Sequence, residues 1–373
     1  MKRNESTRYK DSIHLKKTGR IIETHRAFIR PKIYLLIWLL LGLFILTVGS
    51  IAVGSYDMSL FSILRALLGL EEGPHKIVVW NIRMPRIMAA MITGCGLGLS
   101  GLATQSLLRN PLASPFTLGI SQGAAFGAAF SIVVLGAAGI QQSALRTADT
   151  NTFTILNIYA VTFFAFLGAM TATVVILILA RLKKMSPESI ILAGVALSSL
   201  FTSGTILIQY FATDIEIATV VFWTFGDVAR SSWQEIGLLG VVSACVIIYF
   251  VFHRWDLNAL AAGDDYAKGL GVEINRLRLA GMFLAALLAA LATAFHGVIA
   301  FLGLLAPHIG RRLAGSDHGL LVPYACLVGS LLLLTADTLG RLLVGSGTLP
   351  VGVLTSFMGA PLFLYLLMKG LRR

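Results

Sequence analysis

Charge is scarce in this chain. Only 13% of its 373 residues are Asp, Glu, Lys or Arg, and 56% are apolar. A soluble protein of this length needs a larger polar surface, so that class is excluded. Regular alternation of apolar and polar residues is missing too, which excludes a membrane β-barrel. Cysteine is rare: Cys95, Cys245 and Cys326 lie far apart in sequence, each inside an apolar run, and form no CxxC pair. Redox and zinc motifs are thereby unsupported, and the three read as small packing residues. The chain has no G-x-x-x-x-G-K-[ST] loop for nucleotide phosphates, no HExxH, no nucleophile elbow and no His–carboxylate cluster with metal spacing. No catalytic residue, cofactor site or metal ligand is therefore expected in it.

What the chain does have is apolar runs of about twenty residues, the length that crosses a bilayer. They fall at 33–53, 84–103, 117–137, 156–180, 190–211, 236–252, 277–297, 299–313, 320–340 and 349–369. The expected class is an all-α polytopic membrane protein with about ten transmembrane helices. His296-Gly297 and Pro307 interrupt 277–313, which favours two spans there over one. With the N-terminus inside, ten crossings place 23 Lys/Arg inside against 7 outside, as the positive-inside rule requires. Both termini are then cytoplasmic. Residues 1–32 form a basic tail with ten Lys/Arg and three acids, suited to anionic lipid rather than to nucleic acid; 33–373 form the membrane domain.

Small residues four apart, Gly94/Gly98 and Gly119/Gly123/Gly127, give smooth helix faces for close packing. A faint repeat of opposite orientation links Arg83, Arg86 and "LLRNPLASP" with Arg276, Arg278 and "LAPHIGRRL", a plan common among transporters. Asp337 is the one deep carboxylate. It reads either as an ion-pair partner of Arg341 at i,i+4 or as the coupling group of an ion-driven carrier. The loop 253–278 holds two short segments, 257–262 and 264–270, joined at Gly263 and ended by Gly271. Leu257, Leu260, Tyr266 and Leu270 make it too apolar for a solvated connector, so it suits contact with a cytoplasmic partner. Arg83 and Arg86 stand on the outer side, against the charge trend, with Pro85 suited to a helix start. They are either headgroup anchors or a docking site.

The blocks "RMPRIMAAMITGCGLGLSG", "LLRNPLASPFTLGISQGAAFGA", "LAAGDDYAKGLGV", "AFLGLLAPHIGRRLAGSDH" and "LPVGVLTSFMGAPLFLYLL" follow in that order. Through them the chain, from about Leu60 onward, resembles the permease subunits of ABC importers for iron–siderophores, haem and vitamin B12. The resemblance implies the ABC type II importer permease fold in a homodimer around a central pathway. It also implies two cytoplasmic ATPase subunits that hold ATP and Mg, and a substrate-binding protein docking outside. By motif it assigns Arg83, Arg86 and Arg341 to docking of the binding protein. Ala262, Gly263, Asp264, Ala267, Leu270 and Gly271 go to ATPase coupling. Ser198, Ser199, Ser203, Gln209, Thr355 and Ser356 go to the pathway, with Ser186 and Pro187 at the inner gate. The implied cargo is an iron–siderophore or related chelate, with corrinoid or haem as alternatives. The chain departs from the pattern at Asp264, where Glu is usual, at Ser114 and Gly319, and in the long outer stretch 139–155.

Overall fold

The computed structural model describes residues 27–370 other than 28, 55, 57, 71–72, 137–150, 184–185 and 345–348. Most of the basic tail, Arg146 and most of 139–155 thus lie outside the described residues. Two units are distinguished, Met1–Phe44 and Ile45–Arg373; in the first, the described residues are helical. All regular elements among the described residues are helical.

Among the described residues, seven helices are long and apolar enough to cross a membrane: α1 (Ile29–Ala52), α3 (Pro74–Leu107), α5 (Asn151–Lys183, apolar over Tyr159–Leu182), α6 (Pro187–Tyr210), α8 (Trp233–Phe252), α11 (Ile274–His296) and α13 (His318–Val344). Shorter helices α4 (Ile120–Val134), α12 (Leu302–Ala314) and α14 (Val351–Gly370) occupy the other three expected positions. The remaining helices are α2 (Leu60–Leu67), α7 (Asp214–Thr224), α9 (Arg254–Ala262) and α10 (Asp264–Gly269).

Local sequence explains several boundaries. Ser186 caps α6, its Oγ accepting the Ser189 N–H at 3.3 Å, and Pro187 follows where its missing N–H costs nothing. Thr213 and Ser232 open α7 and α8 with reciprocal capping boxes closed by Glu216 and Glu235. The doubtful 277–313 region is two helices. The break is the non-helical segment 297–301, bounded by Gly297 and Phe301 at positive φ, whereas Pro307 lies inside α12. The α-helical part of α3 does begin at Met84-Pro85, but the chain is already coiled before it. A π turn at Val78–Arg83 joins it to a first turn at Pro74–Ile77.

Packing centres on α3, which lies against α13, α11 and α12. A Cβ at Gly94 would strike the Gly329 carbonyl, one at Gly98 the Ala325 carbonyl, and one at Gly101 the Gly303 backbone. Gly123 and Gly127 make the same close approach to Gly168 and Phe164 on α5. Where apolar side chains meet lipid as readily as each other, such backbone contact drives association. Gly119 differs: with φ 81° it supplies the left-handed turn that starts α4. Cys95 on α3 and Cys326 on α13, distant in sequence, are free, half-buried thiols on two helices that pack together.

Candidate functional site

Three polar assemblies carry the residues singled out by the sequence. Two sit at opposite ends of α3, whose 24-residue α-helical part spans about 36 Å at 1.5 Å per residue.

At the N-terminal end of α3, Arg83, Arg86 and Arg341 are only 4%, 8% and 9% exposed. Arg86 Nε donates to Asp337 Oδ1 at 2.7 Å. Arg341 Nε lies 3.2 Å from Asp337 Oδ2, an ion pair by distance though not aligned as a hydrogen bond. Arg83 donates to the carbonyls of Ile51 (2.6 Å) and Tyr56, and Arg341 to those of Ser50 (3.0 Å) and Val53 (2.8 Å). The last carbonyls of a helix have no partner within it and carry partial negative charge. Here the Arg83 and Arg341 guanidinium groups cover the end of α1, while Asp337 pairs with Arg341 and Arg86. The sequence left these cations as headgroup anchors or a docking site; in the structure all three are buried and engaged by the end of α1 and a buried carboxylate. The i,i+4 pair of Asp337 with Arg341 is present, and Arg86 joins it.

At the other end, α9 and α10 form the expected helix pair, turning at Gly263 (φ 132°) and ending at Gly271 (φ 85°). Leu257, Leu260 and Ala267 are buried; Ala262, Tyr266, Leu270 and Gly271 are exposed. Asp264 is engaged within the chain. Arg278 reaches both its oxygens at 3.3 Å, and Arg109 reaches Oδ1 at 3.5 Å. Arg278 also donates to the Leu107 carbonyl at the end of α3 (3.0 Å).

Sequence reasoning missed the second junction of this loop. Asn258 on α9 accepts from the His318 N–H (2.9 Å), faces His318 Nδ1 at 2.7 Å and donates to Asp317 Oδ1 at 2.8 Å. His318 Nε2 meets Ser106 Oγ, in the last turn of α3, at 2.8 Å. Burial pushes the Asp317 carboxyl up. The Asn258 amide, the Gly319 N–H and the nearby His318 and Arg254 outweigh it and hold the group below its ordinary value. Gly319 stood out only as a departure from pattern; its backbone N–H donates to Asp317 Oδ1 at 3.0 Å. Ser114, another departure, caps the short turn Pro115–Leu118.

The proposed pathway residues divide. Ser198, Ser199 and Ser203 line a cavity of about 440 Å³ with Thr117 and Thr202. Ser356 lines a separate one of about 470 Å³ beside Thr224, Phe225, Val298 and Phe357. Thr355 is buried and bonds the Gly352 carbonyl (3.0 Å), and Gln209 lines neither cavity. Ser198 and Ser199 also bond carbonyls of their own helix, at 2.8 and 3.2 Å, so their hydroxyls are satisfied without a ligand. α6 is the least buried of the candidate spans at 11% of its apolar window, and Tyr210, Phe211 and Leu192 project from it.

The model of the FecCD transport family matches residues 40–369. An ABC transporter permease protein of Methanocaldococcus jannaschii is 48% identical, over 95% of this chain and 99% of its own length. An Fe(3+)-citrate import system permease protein of Bacillus subtilis is 36% identical, over 92% and 97%. A solved metal-chelate type ABC transporter in an inward-facing conformation superposes with TM-score 0.74 at 30% identity, covering 91% of this chain and 99% of that one.

Proposed function

This chain belongs to the FecCD transport family, and on that premise we propose that, as an ABC importer permease, it carries an iron–siderophore or related metal chelate inward across the cytoplasmic membrane. Corrinoid and haem are the alternatives within the same family. The observation that supports this reading best is the α9–α10 pair, a compact helical unit that shows Tyr266, Leu270 and Trp255 to the outside. It lies at the end where the charge pattern puts the cytoplasm. It suits a separate ATPase, which would hold ATP and Mg. Two copies of the chain, two ATPases and an extracytoplasmic binding protein complete the proposed assembly, with both termini cytoplasmic. The unpartnered α6 face and the cavities beside Ser198 and Ser356 suit a pathway formed between the two copies.

In this reading ATP-driven closure of the ATPase pair moves the loop, and the helices around the pathway re-pack to open the opposite gate. Weak hydroxyl contacts favour release of a large ligand. Asp337 gives little support to an ion-driven carrier, since two guanidinium groups already engage it. Vesicles holding the permease, its ATPase and its binding protein, given ferric citrate or a ferric hydroxamate, should accumulate iron only with ATP. Uptake by the permease alone on a proton gradient would overturn the proposal.

A further inference from the structure

We infer that Ser106, Asn258 and His318 form the joint that fixes the α9–α10 pair to α3 and α13, so that a push on the loop is delivered to the far end of the bundle. The inference rests on the reading of that pair as the ATPase contact.

The hydrogen bonds of the joint define one another. The Asn258 amide nitrogen donates to the Asp317 carboxylate, which fixes the amide orientation and leaves Oδ1 as an acceptor. That oxygen already accepts the His318 backbone N–H, so Nδ1, 2.7 Å away, must be the second donor. The Ser106 hydroxyl closes the joint on Nε2, at 2.8 Å. Three elements, α9, α13 and α3, are thereby joined through one imidazole that is itself buried. Beneath it Leu257 and Leu260 of α9 are fully packed. The Asp264–Arg278 contact is the looser of the two junctions, because the Asp264 side chain is 35% exposed.

Beyond the joint, α3 and α13 behave as one strut. They cross backbone against backbone at Gly94/Gly329 and Gly98/Ala325, and the Arg86–Asp337 pair ties them again at the far end. Closely packed elements transmit displacement and do not absorb it. The cavity beside Ser356 lies toward that far end, next to Val298 and Phe225.

The test uses the full permease with its ATPase in vesicles. A Ser356→Cys reporter is labelled by a membrane-impermeant maleimide, above the background of the native cysteines, with and without ATP. The parent reporter should label differently in the two states; no response there would count against the importer reading itself. Ser106→Ala and Asn258→Leu should keep ATP hydrolysis within about twofold of the parent, yet lose the ATP-dependent labelling difference by roughly two- to thirty-fold, the range for residues along a coupling route. Ser106→Thr should restore it. If Asn258→Leu does not fold, Ser106→Ala, which removes a single hydroxyl, carries the test. A labelling response that survives overturns the joint. Hydrolysis and response that fall together also overturn it, because that is the mark of a residue that only packs.

Discussion

Asp337 sits between two guanidinium groups, and their separate geometries predict how the cluster fails. Arg86 makes the aligned bond at 2.7 Å, while Arg341 spends its best-placed donors on the Ser50 and Val53 carbonyls. Arg86→Ala therefore leaves a fully buried carboxylate short of a partner, at a cost of about 3–5 kcal/mol. Adding Asp337→Asn should recover part of that loss, because it removes the charge that lacked compensation. Thermal unfolding in detergent checks both. The same geometry predicts that charge reversal at Arg83 or Arg86 lowers stability before it reports on docking. Asp317 gives a pH prediction of definite sign. Its folded-state pKa is depressed, so its contribution is complete above the ordinary carboxylate range and is lost as pH falls through the lower folded value. Below about pH 4 the loop end should loosen, and Asp317→Asn should remove that acid dependence; hydrogen exchange across α9 at stepped pH measures it.

At the scale of elements, glycine made the helix crossings legible but not their partners. Gly94 and Gly98 announced a smooth face; that the face meets Gly329 and Ala325 depends on pairing across more than two hundred residues, which periodicity does not carry. Gly101 is the tightest point, and Gly101→Leu should drive α3 off α12 by overpacking, costing about 1–3 kcal/mol or more and lowering the yield of folded protein in size-exclusion runs. α7 shows the opposite case. Its signal, Thr213 followed by Glu216, was present as a capping box, but its apolar residues merged with the neighbouring runs. The loop pair was readable because Gly263 and Gly271 punctuate it. The inward turn of Asp264 was not, because Arg109 and Arg278 reach it from other elements. Asp264→Lys would place a third cation beside those two. It should release α10, so that the ATPase no longer copurifies while the bundle stays folded; unchanged copurification would remove Asp264 from the coupling set.

For the whole molecule, composition and charge counting were enough for class, span positions and a proposed orientation. They work because lipid imposes the same demand on every span. What they could not give is which polar groups satisfy one another. In sequence the outer arginines read as headgroup anchors or docking residues; only the assembled fold shows that α1 ends among Arg83, Arg86 and Arg341. Ser106, Asn258 and His318 lie on three elements, and no local pattern joins them.

The cover over the end of α1 also bears on how the protein is made. Ser50, Ile51 and Val53 leave the ribosome before Arg83, which follows some thirty residues later, and Asp337 and Arg341 come only some 250 residues after that. Until α13 is inserted, Arg86 has no carboxylate and the Ser50 and Val53 carbonyls lack the Arg341 donor. An unfinished or truncated chain thus displays a charge in the membrane that a complete one conceals.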